Sequence, residues 1–420
     1  MPNKVIFQII IITIAALLLL IVALFLSSVI RRIYKERKYR RLDRLKKVFD
    51  GKIRESLASG AITGTQSEFL APPNSDTWLA IEDVLLNMIT EEQYRAEVIK
   101  LSSLLGYISF YEKQIKNRNV QVRALSVDRL GRMNSDASVP KLVALLDEKN
   151  PEIVSVVVRS LSRIGGRTAL KAIVERLPVI LDQSIVTRKA MGMALQTFGA
   201  DAVPLLIEQK TGQDNLWVMS CILDILSRLP ADPRSVRLAT DHLSSTNVEV
   251  RSKALKVLGR AENLALAHDL PELILPLLRD PVWFVRLQAI RSIRALGNKA
   301  AMAPIGKLMF DDNWQVRNEA VQAFTALGER SLDMFLEVLT GIDRYAKDSI
   351  CEEIERTNFS VQLIKNLKAR DRELQNKSRQ VLEIMHSLGF STPLDEFLAQ
   401  AGDETEKELI RGLMKTGSVA

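Results

Sequence analysis

Two hydrophobic patterns divide the chain. Val5 to Ile30, VIFQIIIITIAALLLLIVALFLSSVI, is an apolar run of 26 residues without a charge, Pro or Gly. Crossing the hydrocarbon core of a bilayer takes about 20 apolar residues in a helix, and a helix apolar on every side has no face to turn to water. The run therefore predicts a transmembrane helix. Further on, apolar residues at helical spacing recur with a period near 31. DPVWFVRLQAIRSIRALG (Asp280–Gly297) aligns without gaps with DDNWQVRNEAVQAFTALG (Asp311–Gly328). With Arg286 and Arg317 as anchors, both segments place Asp at −6, Trp at −3, Val at −1, Ala at +3 and Leu-Gly at +10 and +11.

The frame extends along most of the chain, with anchors at Arg123, Val154, Arg188, Met219, Arg251, Arg286, Arg317, Lys347 and Ser378, and a worn copy on Arg95. Position +7 is apolar in all nine main copies: Leu130, Leu161, Leu195, Leu226, Leu258, Ile293, Phe324, Ile354 and Met385. Such a period marks stacked supersecondary units. Each unit reads as two helices. The anchor helix carries an inner stripe at −1, +3, +7 and +10. A first helix precedes it, as in Val139–Leu146, Ala202–Ile207, Leu270–Leu278 and Ala301–Phe310. Several first helices open beside Pro140, Pro204, Pro271 or Pro304, where a missing N–H costs nothing. Gly at +8 or +11 (Gly131, Gly165, Gly199, Gly259, Gly297, Gly328, Gly389) is expected to cap the anchor helix in the left-handed conformation.

On these residues the chain resembles HEAT-repeat proteins, in particular the short bacterial variety also found in phycobilin lyases. The resemblance runs from about Asn117, with a start near Asp76 allowed by the worn copy, to the C-terminus. It implies a HEAT-type α-solenoid of about nine to ten helix pairs, which with the N-terminal transmembrane helix read from the apolar run makes an all-α fold. It also implies that Asp280, Arg286, Asp311 and Arg317 form a ladder joining the turn of one repeat to the helix of the next, rather than a catalytic charge pair.

The expected organisation is a short tail (1–4), the membrane helix (5–30), a basic amphipathic helix (31–57), a flexible linker (58–77) and the solenoid (78–420). The net charge of +8 invites a nucleic-acid reading. Yet residues 31–55 alone hold 12 Lys/Arg against 4 Asp/Glu, and the rest is close to neutral. DNA binding needs several basic contacts to phosphates, so none is expected. The basic flank instead sets orientation, since positive residues stay in the cytoplasm. The N-terminus is expected outside and the repeats inside. Arg31, Arg32, Lys35, Arg37, Lys38, Arg40 and Arg41 should face anionic headgroups. Leu42, Leu45, Phe49 and Ile53 form one stripe. It suits packing on lipid or on the body; a homodimer through a short coil is the alternative.

Candidate chemistry is sparse. Cys221 and Cys351 form no metal-binding spacing, His242, His268 and His386 lie far apart, and no phosphate loop or nucleophile elbow occurs. No catalytic residue, cofactor or metal is expected. Trp217, Trp283 and Trp314 share nearly one repeat position, where packing is the simpler reading than base stacking. Position +5 should face outward and carries mixed charges. Position +9 holds Arg132, Arg163, Arg228, Arg260 and Arg356, which either complement helix C-termini or bind an acidic partner. The function expected is a non-catalytic scaffold on the cytoplasmic membrane face, holding a partner such as a membrane enzyme or signalling protein. A lyase-type enzyme acting on a protein-bound chromophore and a nucleic-acid-binding protein are the alternatives.

Overall fold

The computed structural model describes residues 2–59, 66–183, 185–210, 215–297, 302–402 and 404–417. The described residues contain helices and no strand. They fall into two compact units, Met1–Ile173 and Val174–Ala420.

The first unit opens with α1 (Pro2–Ala58), a single helix of 57 residues. From Leu17 to Leu26 every large apolar side chain is at least half exposed. The helix as a whole is long and apolar enough to cross a membrane. About four turns beyond Leu26 the same helix docks on the body. Short α2 (Gln66–Phe69) is followed by α3 (Asp76–Met88), and α1 packs along α3. Ile53 is fully buried, with Leu42, Leu45 and Phe49 half-buried. Lys46 pairs with Asp83 at 2.8 Å, and Arg54 grips Glu91 at 2.6 and 2.9 Å. The stripe thus packs within the chain, fully at Ile53 and in part at Leu42, Leu45 and Phe49.

The helix passes through residue 31 without a break. Of the expected linker, 60–65 lie outside the described residues. Its remaining end is packed: Phe69 is buried, edge-on to Phe49 at 6.4 Å. The body starts at Asp76, where the Ser75 hydroxyl caps α3 by accepting the Trp78 N–H at 3.1 Å.

Three helix pairs follow in this unit: α3 with α4 (Arg95–Leu104), α5 (Tyr107–Gln114) with α6 (Val120–Arg132), and α7 (Val139–Val143) with α8 (Pro151–Ile164). The Arg95 copy is thus a real pair. The unit boundary falls within α9 (Arg167–Asp182).

The second unit continues with α10 (Arg188–Gln196), α11 (Ala202–Lys210), α12 (Leu216–Leu226), α13 (Pro233–Asp241) and α14 (Val248–Leu258). Then come α15 (Leu270–Ile274), α16 (Trp283–Ala295), α17 (Met302–Gly306) and α18 (Trp314–Thr325). The last six are α19 (Leu332–Thr340), α20 (Arg344–Arg356), α21 (Phe359–Asn366), α22 (Arg372–Ser387), α23 (Thr392–Gln400) and α24 (Glu404–Gly417). The anchor helices α10, α12, α14, α16, α18 and α20 stack each on the next, and α22 packs on α19, α21 and α24. The expected start of a first helix at Ala301 lies outside the described residues. The pair α23–α24 was not expected; its Ile410 and Leu413 are buried.

All nine apolar residues at +7 are at most 5% exposed, and full burial of such a side chain stabilises by about 1.5–3 kcal/mol. Most anchor helices begin at a cap four residues before the anchor. Asn119, Asn150, Asn215, Asn247, Asn313 and Asp343 each accept a first-turn N–H. Gly165, Gly199, Gly297, Gly328 and Gly389 have positive φ, as a left-handed cap requires. Gly131 and Gly259 do not, which corrects their reading as caps. They lie where the next anchor helix crosses closest: Ser160 stands against Gly131 and Ser292 against Gly259. The Ser160 hydroxyl donates to the Val127 carbonyl at 2.9 Å, and that of Ser292 to Leu255 at 2.7 Å.

Candidate partner-binding surface

Two rows of charge line the anchor helices. The first follows one flank of the helix stack, where buried Glu82, Asp224, Glu319 and Glu353 and half-buried Asp128 are held by cations. In the first unit the Glu82 carboxylate accepts the Tyr111 hydroxyl at 2.6 Å and lies 3.0 Å from Arg129. Burial pushes Glu82 up, against the opposing pull of Tyr111 and Arg129. In the second unit Asp224 on α12 meets Arg228 at 2.9 Å, Lys253 at 3.3 Å and Lys256 at 3.2 Å. Burial alone would raise its pKa, but the Arg228 hydrogen bond and the two lysines hold it at about 2. Glu319 on α18 pairs with Arg291 at 2.6 Å and Arg294 at 3.0 Å. Position +5 thus does not face outward throughout: Asp224 is buried because it ties α12 to α14.

These acids intercept most of the expected arginine row. Arg163 donates to Asp128 at 2.9 Å, Arg228 to Asp224, and Arg356 to Glu353 at 2.7 and 2.8 Å. Arg132 is half-buried near Glu82. Arg260 is exposed and makes no ion pair among the described residues. Two open grooves border the row. One of about 620 Å³ is lined in the first unit by Arg95, Arg132, Asn134 and Arg163. One of about 710 Å³ is lined in the second by Arg294, Arg330, Glu353, Arg356 and Gln362.

The second row follows the turns that enter the anchor helices. Arg286 donates Nε and Nη2 to Asp311, both at 2.7 Å, while Nη1 reaches back to the Asp280 carbonyl at 2.8 Å. Arg251 does the same with Asp280 (2.7 and 2.9 Å) and the Ser245 carbonyl. In the first unit Arg123 binds Glu148 at 2.9 Å. Each side-chain pair thus joins an anchor arginine to the acid that opens the following anchor helix. Asp280 and Asp311 also accept the N–H two residues on, at 2.9 Å, which fixes their rotamers. Sequence alignment pointed to Asp280, Arg286, Asp311 and Arg317 but missed Arg251 and the Arg123–Glu148 pair. Their signal was present, since Glu148 is at −6 from Val154 in the same frame. Arg317 keeps its backbone contact to Asp311 at 2.7 Å but has no acid partner among the described residues.

Of the membrane-flank set, Arg31, Arg32, Lys35, Arg37 and Lys38 are exposed and make no close ion pair among the described residues, although Arg32 acts on Glu36 through space. Arg40 pairs with Glu36 at 2.5 Å, and Arg41 lies 3.5 Å from Asp76. The tryptophans expected to pack are substantially exposed, Trp314 at 60%. Cys221 and Cys351 are buried and free, and burial pushes the Cys351 thiol up to about 12. Among the described residues no His, Cys, Asp and Glu side chains cluster as a metal site.

The family model for HEAT repeats matches residues 109–179 and 270–355, so these two segments carry HEAT repeats. No curated protein matches it. Among solved structures, an engineered protein is 18% identical over 84% of this chain and 98% of its own, at a TM-score of 0.32. A second engineered protein is 18% identical over 60% of this chain and 98% of its own, at 0.29. At such low TM-scores neither likeness carries weight.

Proposed function

We propose that this chain is a single-pass membrane scaffold whose repeats hold a partner protein at the cytoplasmic face of the inner membrane and catalyse nothing. The observation that carries the reading is the continuity of α1. One helix runs from exposed apolar side chains at Leu17–Leu26, through exposed cations at Arg31–Lys38, to a docked end at Ile53. An apolar sleeve of that length is stable only in an apolar medium. The cations beside it favour anionic headgroups and a cytoplasmic body. Docking on α3 fixes the repeats to the anchor, which raises the local concentration of whatever they grip. Stacked helix pairs offer a surface built by nearest-neighbour packing, and in the second unit the exposed Arg260 is a cation open to an acidic partner.

The test places photo-crosslinking residues at 163, 228 and 260 in intact cells and identifies what is captured. A recurrent membrane-associated protein at two of the three sites supports the reading. Capture of nothing but lipid at all three removes these positions as docking sites.

A further inference from the structure

The turn row stops where the chemistry that built it runs out. Arg251 and Arg286 each close a two-toothed contact on an aspartate, Asp280 or Asp311. The next turn has Gly341 where those carboxylates stand, at −6 from Lys347. Arg317 is held in the same pose by the Asp311 and Asp312 carbonyls at 2.7 and 3.3 Å. Its Nε is buried with no hydrogen-bond partner among the described residues, and the centre of the Tyr345 ring lies 5.7 Å from the guanidinium carbon. Lys347, the next anchor, makes no ion pair among the described residues either. Two successive anchor cations are thus without acids.

The same edge exposes apolar surface. Trp283, Trp314 and Tyr345 recur every 31 residues at the start of α16, α18 and α20, and Trp314 and Tyr345 are 60% and 72% exposed. Ile342, beside the missing acid, is fully exposed. Aromatic and arginine side chains together are the usual anchors of a protein interface. Buried polar donors without partners are uncommon in native structures.

We propose that this edge docks an acidic segment of a partner protein, with one carboxylate filling beside Arg317 the place that Asp280 and Asp311 fill in the two preceding repeats. Apolar residues of the segment lie on Trp314, Tyr345 and Ile342. A second carboxylate meets Lys347. Successive helices pack about 10 Å apart, the reach of about three residues of extended chain, so the two acids are three positions apart. The inference deepens the scaffold reading by naming a surface and a ligand chemistry, and it rests on that reading only for the ligand being a protein. Membrane anchorage plays no part in it.

The experiment uses the full chain in nanodiscs and fluorescein-labelled 12-residue peptides. The probes carry two Asp or Glu three positions apart among Leu and Phe; matched peptides carry Asn and Gln instead. The acidic peptides bind at least about tenfold more tightly than their amides, as expected for a charge-assisted paired contact. Gly341→Asp supplies the missing carboxylate from within and abolishes that preference. Because its Cβ would come 3.1 Å from the Val338 carbonyl oxygen, Arg317→Gln serves as an independent variant with the same expected loss. Trp314→Ala weakens binding of acidic and amide peptides alike. Equal binding of acid and amide, no binding by any acidic peptide, or a preference that survives both variants overturns the proposal. The last result leaves the scaffold reading standing with a site elsewhere; the cross-linking test above judges that reading separately.

Discussion

Alanine at Gly131 tests how the repeats are held together. An ideal Cβ there would lie 2.5 to 2.6 Å from the Cβ, Oγ and Cα of Ser160. Ordinary contact distances are about 3.5–4.0 Å, so α6 and α8 must move apart by on the order of 1 Å. One of the obstructing atoms is backbone, and no rotamer change relieves it. Overpacking of this kind costs about 1–3 kcal/mol. The separation also weakens the Ser160–Val127 hydrogen bond, which contributes about 1 kcal/mol. Alanine gains about 1 kcal/mol in helix propensity, leaving a net loss of about 1–3 kcal/mol. Gly51 in α1 has nothing within 4 Å of its Cβ position, so Gly51→Ala keeps the propensity gain alone and is stabilising. Gly259 is intermediate, with contacts at 3.1 to 3.3 Å, and Gly259→Ala falls between the two. Hydrogen exchange read by mass spectrometry suits a stack that opens locally. Peptides from α6 and α8 in Gly131→Ala should exchange about tenfold faster or more, since 1.4 kcal/mol is a factor of ten. Unchanged or slower exchange there, matching Gly51→Ala, refutes the close-crossing account.

Two further outcomes follow from the charge rows. Asp311→Ala strands Arg286, whose side chain is 15% exposed, and should lower unfolding stability by about 3 kcal/mol; chemical denaturation measures it, and a loss near zero removes the ladder from the stability argument. Asp224 has its folded pKa depressed to about 2, so its contribution is fully present above the unfolded value near 4 and disappears as pH falls toward 2. It amounts to about 2 kcal/mol. Exchange in α12 and α14 should accelerate over that window in the native chain and show no such step in Asp224→Asn.

The helix pairs were legible because the +7 side chain of each must be apolar and in register, and burial of Leu130 through Met385 follows from the frame alone. The apolar run to Ile30 was equally plain. What escaped depends on contacts between repeats. Gly131 and Gly165 look alike as glycines near a helix end, and only the crossing of α8 separates a contact from a cap. Asp224 sits at an outward position by periodicity, yet lysines from α14 close over it. The α23–α24 pair lacks the Asp, Trp and Arg landmarks and keeps only a short stripe at Ile410 and Leu413. Arg317 shares its frame with Arg286, and the empty place beside it is visible only once Asp311 is seen beside Arg286.

Protection in sealed cells tests the central claim most directly. A tag after residue 420 is followed through alkaline carbonate extraction, and protease is added outside intact spheroplasts and, separately, to inverted membrane vesicles. The account predicts that the chain stays in the membrane pellet, survives protease in spheroplasts and is digested in inverted vesicles. Release by carbonate, or digestion of the repeats from outside unbroken cells, contradicts it.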